Sequence, residues 1–210
     1  MDISIVGAGG IIGRQIASAL AAARLLPATS RLQLVGRRGG VSERLLPGLA
    51  ADLADAYGEE LPSIDLACDA EDILGDLIII AAGETVKTGG AQNRSDLLAA
   101  NEAVVTAAAE AIARNGDGEE LVLVLTNPVE AAVAWVCRHL PARRVVGLGA
   151  YLDTMRFRRE IALDLGVRRQ VVQGLALGEH GLGLVPCWST VQVHGLSLIH
   201  ISEPTRQAEI

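Results

Sequence analysis

Short apolar runs alternate with longer segments of mixed polarity from the start of the chain. "ISIVG" (3–7), "RLQLVG" (31–36), "IDLAC" (64–68), "DLIIIAAG" (76–83), "ELVLVLTNP" (120–128) and "RRVVGLG" (143–149) are near-continuous hydrophobic runs of strand length. Strands buried on both faces of a parallel sheet read this way. Helical spacing fills the gaps at 11–26, 42–56, 95–114 and 129–139, with a break expected near Pro47. The alternation predicts an α/β fold, a Rossmann-type doubly wound parallel sheet with right-handed crossovers.

After Gly149 the pattern changes. A helix near 152–166 leads into "QVVQGLAL" and "LVPCWSTVQVHG", which read as antiparallel strands. The expected organisation is a dinucleotide-binding domain over 1–149, then the start of an α+β substrate domain over 150–195. Residues 196–210, "LSLIHISEPTRQAEI", show no amphipathic period and read as a non-native, adapter-derived tail. On that reading the substrate domain is incomplete and the chain as it stands inactive.

Composition narrows the function classes. Half the residues are hydrophobic, aromatics are 2%, and the net charge is −7 without a basic tract. Nucleic acid is therefore not an expected partner. No apolar run is long enough to span a membrane and no leader pattern precedes "DISIVGAGG", so a cytoplasmic location is expected. Cys68, Cys137 and Cys187 show neither paired spacing nor a nearby His at ligand distance. They read as reduced structural thiols, and no metal site is expected.

"VGAGGIIGRQIA" sets glycines between the first strand and the first helix. A strict G-x-G-x-x-G fails at Ile12, but G-x-x-G-x-x-G fits as Gly7, Gly10 and Gly13. Such a turn lets a diphosphate approach the backbone at a helix N-terminus, although it also reads as a tight strand-to-helix turn. The second strand ends in Gly36, followed by Arg37 and Arg38, where an acid would grip the ribose 2′-hydroxyl of NAD. A small residue with arginines suits a 2′-phosphate, so the cofactor is NAD or NADP, with NADP slightly favoured. The same arginines also read as a solvated pair after a strand.

Five segments in order now carry a resemblance: "GAGGIIG", "AAGETVKTGGAQNRSDLLAAN" (81–101), "TNPVE" (126–130), "GLGAYLDTMRFRREIA" (147–162) and "LGEHG" (177–181). Together they resemble the lactate/malate dehydrogenase family over residues 1 to about 195. The resemblance implies NAD(P)-dependent interconversion of a small 2-hydroxy acid and a 2-oxo acid by hydride transfer, in a homo-oligomer when full length. It implies His180 as proton carrier, Asp153 as its orienting carboxylate and Arg156 as the clamp on the substrate carboxylate. Arg94 matches the loop arginine that polarises the carbonyl, Asn127 the substrate-side asparagine, and Asn101 a residue near the cofactor.

The chemistry suits these residue types. Imidazole exchanges protons near neutral pH, and a guanidinium makes two parallel hydrogen bonds to a carboxylate. Asp153 and Arg156 are i and i+3 on one helix and share a face. Separately, each has a plainer reading: His180 as the end of a strand, Asp153 as a favourable helix N-terminal charge, Arg156 as a surface partner of Glu160, and Arg94 as a solvated loop charge. The rival function is a non-catalytic dinucleotide-binding module or a truncated remnant.

The chain departs from the family pattern at Val86, where malate-type members place Arg and lactate-type members Gln. Valine offers a second carboxylate neither charge nor hydrogen bond, which opens the way to an apolar 2-oxo acid. The loop is two residues longer between Gly89 and Arg94, putting Gln92 within it. Leu182 and Gly183 replace the usual polar pair after His180-Gly181.

Overall fold

Each apolar run named above forms a strand. The computed structural model describes residues 1–84 and 94–197, without the side chains of residues 59 and 94–97. In chain order the elements are β1 (Ile3–Val6), α1 (Ile11–Ala22), β2 (Arg31–Val35), α2 (Val41–Tyr57), β3 (Ser63–Ala67) and β4 (Leu77–Ile80). Then come α3 (Arg94–Asn115), β5 (Leu121–Val124), α4 (Val129–Val136), β6 (Val145–Gly147), α5 (Ala150–Asp164), β7 (Val172–Leu177), β8 (Val185–Val193) and β9 (Leu196–Ser197). Two compact units result, Met1–Gly147 and a second beginning at Leu148.

The first unit is a six-stranded parallel sheet in the order β3-β2-β1-β4-β5-β6. Its central strands are mostly apolar because they feed two cores, one on each face. In β4, Ile78 and Ile80 pack with Val105, Ala109 and Ile112 of α3 and with Trp135 of α4. Ile79 points the other way, among Ala17 and Ala21 of α1 and Leu46 and Leu53 of α2. The period of two is thus hidden in a continuous apolar run and shows only in which core each residue joins.

One buried polar cluster crosses the sheet. Ser4 Oγ lies 2.6 Å from Gln33 Oε1, which also accepts the Leu74 amide at 3.1 Å. Gln33 Nε2 donates to Asp65 Oδ2 at 2.8 Å and to the Asp72 carbonyl at 2.9 Å. The three strands β1, β2 and β3 are tied to the segment before β4 with both ends of the amide satisfied.

The break expected at Pro47 is absent, and α2 runs unbroken through it. Pro47 sits on the exposed face, so the Glu43 carbonyl that loses its amide partner can be hydrated. Leu46 and Leu53, on either side of the proline, are buried and hold both halves of the helix to the sheet.

In the second unit α5 covers one face of the antiparallel sheet β7-β8-β9. Ile161, Ala162, Val172, Val191 and Val193 form its core, and Phe157 meets Trp188 edge to face at 5.0 Å. Leu196 and Ser197, the first residues of the segment expected to be foreign, pair with Val193 and Gln192 as β9. The rest of that segment, 198–210, lies outside the described residues. Among the described residues no helix is long and apolar enough to cross a membrane.

Candidate functional site

The glycine turn leaves β1 at the sheet's switch point, between the C-terminal ends of β1 and β4, where doubly wound folds take ligands. Gly7 has φ +90°, and a Cβ there would lie 2.7 Å from the Ala82 backbone. A Cβ on Gly13 would lie 2.3 Å from the Gly7 carbonyl oxygen. Turn and helix are therefore packed against each other more closely than any side chain allows. Gly10 is the N-cap of α1, and no side chain caps the helix and no acid stands in its first turn. The first amides of α1 keep their capacity for an anionic group, which the positive end of the helix favours. Gly9, which the G-x-x-G-x-x-G spacing passes over, is equally constrained: its Cβ would meet that of Ser42 at 2.6 Å. These features fit the diphosphate of a dinucleotide.

Gly36 follows β2 with no acid in its place. The Arg37 amide donates to Ser42 Oγ at 2.9 Å, and its side chain is exposed. Arg38 forks onto Asp69, with Nε donating to Oδ1 at 2.6 Å and Nη2 to Oδ2. Hydrogen bonding within this pair holds the Asp69 carboxyl below its usual range and pushes the Arg38 guanidinium up. Asp69 carried no signal in the sequence, because its partner is fixed by strand register.

Asn101 is 1% exposed on α3, and its amide faces the protein. Oδ1 accepts the Glu84 amide at 2.7 Å, while Nδ2 donates to the carbonyls of Glu84 at 3.2 Å and Asn127 at 2.8 Å. It staples the turn after β4 to the turn after β5 and so fixes the backbone of Asn127, which is itself exposed. Arg94 opens α3, and its side chain lies outside the described residues, as do Val86, Lys87, Gly89 and Gln92.

The second unit brings three of the singled-out side chains together. Asp153, in the first turn of α5, has a side chain only 6% exposed. Its Oδ1 accepts from Arg156 Nη1 at 3.0 Å, and its Oδ2 lies 2.9 Å from Nδ1 of His180, three residues past β7. The His180 and Arg156 side chains are 66% and 52% exposed. Arg156 does not partner Glu160; Arg159 does, at 2.6 Å. Thr154 Oγ1 accepts the Ala176 amide at 2.9 Å and thereby pins α5 to β7 beside the histidine loop. A buried carboxylate thus orients an exposed imidazole and an exposed guanidinium. Chemically, that arrangement can exchange a proton beside a bound carboxylate.

Comparison with known proteins agrees with this architecture. Residues 1–147, the same span as the first unit, match the family model described as lactate/malate dehydrogenase, NAD binding domain. The chain belongs to the lactate/malate dehydrogenase family, and its first unit is the NAD-binding domain of that family. L-lactate dehydrogenase 2 of Enterococcus faecalis is 34% identical over 166 residues, 76% of this chain and 51% of that protein. L-2-hydroxycarboxylate dehydrogenase (NAD(P)(+)) of Methanocaldococcus jannaschii is 31% identical, over 94% of this chain and 63% of its own length. The lactate dehydrogenase of Eimeria maxima, solved with NADH and oxamate, superimposes with a TM-score of 0.78 at 25% identity. That match covers 95% of this chain and 59% of the other. The chain thus spans between half and two thirds of the length of these relatives.

Proposed function

We propose that this chain serves an NAD(P)-dependent dehydrogenase that interconverts a 2-hydroxy acid and a 2-oxo acid. The observation that carries the reading is the Asp153 carboxylate shared between His180 and Arg156. Nδ1 of His180 donates to Asp153, and through Nε2 the ring gives a proton to the reducing carbonyl or takes one from the hydroxyl. Arg156 keeps one amino group on Asp153 and turns its remaining donors to the substrate carboxylate. Arg94 polarises the substrate carbonyl, and Asn127 orients the substrate from the turn after β5.

The glycine turn of Gly7, Gly10 and Gly13 holds the dinucleotide diphosphate, with Asn101 shaping the adjoining wall. Bound there, the nicotinamide supplies the hydride acceptor or donor. Gly36 and the arginines Arg37 and Arg38 border the adenosine ribose, and the absence of an acid at Gly36 favours NADP. The name of the M. jannaschii relative carries both cofactors and favours neither. Val86 carries no charge toward the substrate, so a 2-oxo acid with an apolar side chain is preferred over one with a second carboxylate. The working protein is a cytoplasmic homo-oligomer acting on a small molecule.

The test is a panel of 2-oxo acids with NADPH or NADH, followed by nicotinamide absorbance. Turnover with one or more acids, abolished in His180→Ala with nucleotide binding intact, supports the reading. Nucleotide binding without turnover on any acid, in the full-length protein, would point to a dinucleotide-binding module instead.

A further inference from the structure

The two arginines after β2 are not equivalent. Val35 of β2 stands opposite Ala67 of β3, and the ladder continues beyond both strands. Gly36 donates its amide to the Ala67 carbonyl at 2.8 Å, and Arg38 donates to the Cys68 carbonyl at 3.0 Å. This extension sets Arg38 beside Asp69 at the C-terminal edge of the sheet, the edge on which doubly wound folds bind ligands. There both Asp69 oxygens are engaged by the Arg38 fork. Arg37, one residue earlier, has no ion pair among the described residues and an exposed side chain.

We propose that Asp69 is a positioning residue that sets cofactor preference: by engaging the Arg38 fork it withholds that cation from the adenosine ribose. Arg37 is then the cation left for a 2′-phosphate. The inference rests on the dinucleotide role proposed for the turn at Gly36. The acid that would grip a 2′-hydroxyl is missing from the end of β2, and the acid two residues past the neighbouring strand is turned onto an arginine instead. Loss of the Asp69 charge adds one unit of positive charge at the ribose edge and frees two aligned N–H donors. A phosphate gains from both changes, and a hydroxyl gains little.

The experiment measures dissociation constants of NADPH and NADH for the full chain by nucleotide fluorescence. The variants are Asp69→Asn, Asp69→Ser, Asp69→Glu and the double variant Asp69→Asn/Arg38→Ala. Asp69→Asn and Asp69→Ser should tighten NADPH about three- to tenfold and leave NADH unmoved. Two neutral replacements are used so that a folding defect in one leaves the comparison intact. Asp69→Glu restores the pair and the wild-type ratio, the double variant loses the gain, and the gain shrinks as salt rises. The proposal is overturned if the neutral variants leave the NADPH-to-NADH ratio unchanged, or if the gain survives without Arg38. NADP preference itself is judged on the wild-type ratio alone, whereas this inference is judged on the change in that ratio.

Discussion

The His180 imidazole is two-thirds exposed, yet the Asp153 carboxylate that holds it at 2.9 Å is almost wholly buried. Asp153 reaches both worlds because it lies in the first turn of α5, with its helix packed on β7 by Thr154. A carboxylate so placed fixes the ring's orientation and its tautomer while the ring faces solvent. The same carboxylate holds Arg156, so the two exposed groups share one anchor.

Asp153→Asn keeps the shape of that anchor and removes its charge. Turnover should fall by about 10²–10⁴-fold, with nucleotide affinity unchanged. Imidazole nitrogen NMR should show the proton leaving Nδ1, because the asparagine amide can present a donor where the carboxylate presented an acceptor. An unchanged tautomer would remove Asp153 from its positioning role.

Gly13→Ala tests the closeness of turn and helix. The added methyl meets the Gly7 carbonyl oxygen at 2.3 Å, so α1 or the turn must move. Urea unfolding should show a loss of about 1–3 kcal/mol. Dinucleotide affinity should fall with it, since the displaced amides are those proposed to hold the diphosphate.

Asn101→Ala leaves three backbone groups without their partner, on Glu84 and Asn127. Those residues are exposed enough for water to reach them, so the cost should be about 1–3 kcal/mol. Hydrogen exchange at the Glu84 amide should quicken more than at amides within β4. Equal changes throughout the sheet would mean the staple is not local.

Cys68 offers a pH-dependent readout beside the Arg38–Asp69 pair. Its thiol is pushed up from the ordinary value, first by burial and then by the Glu43 charge. A raised value means less thiolate at any given alkaline pH, so alkylation by iodoacetamide should be slower than for a free thiol. Its pH profile should be displaced upward, and Glu43→Gln should move it part of the way back. Peptide mapping separates it from Cys137 and Cys187. A Cys68 profile matching a model thiol would contradict the burial argument.

Much of this was legible along the chain, and the reason is local. Isoleucines 78–80, the glycines of the first turn, and Asp153 with Arg156 announce themselves through neighbours a few residues away. The match of Asp153 to His180 came from the joint order of motifs rather than from spacing. What stayed hidden depends on register and depth. The Arg38–Asp69 fork exists because β2 and β3 pair in one alignment, and nothing near either residue in sequence signals it. Asn101 reads as a residue near the cofactor, and nothing in the sequence signals that its buried amide also ties together the turns at Glu84 and Asn127. Pro47 signalled a break, but its exposed position and flanking buried leucines let the helix continue.

The strand order bears on how the chain acquires its shape during synthesis. β1 emerges first yet lies at the centre of the sheet, paired with β2 on one flank and β4 on the other. Ile3 can meet Leu32 early, but its other flank stays open until Leu77 has been made. For that interval the nascent chain carries a two- or three-stranded parallel ribbon with one bare hydrophobic rim. Such non-local closure is slow and exposed to mispairing, so the folding yield of this unit should depend on elongation pace between residues 35 and 80.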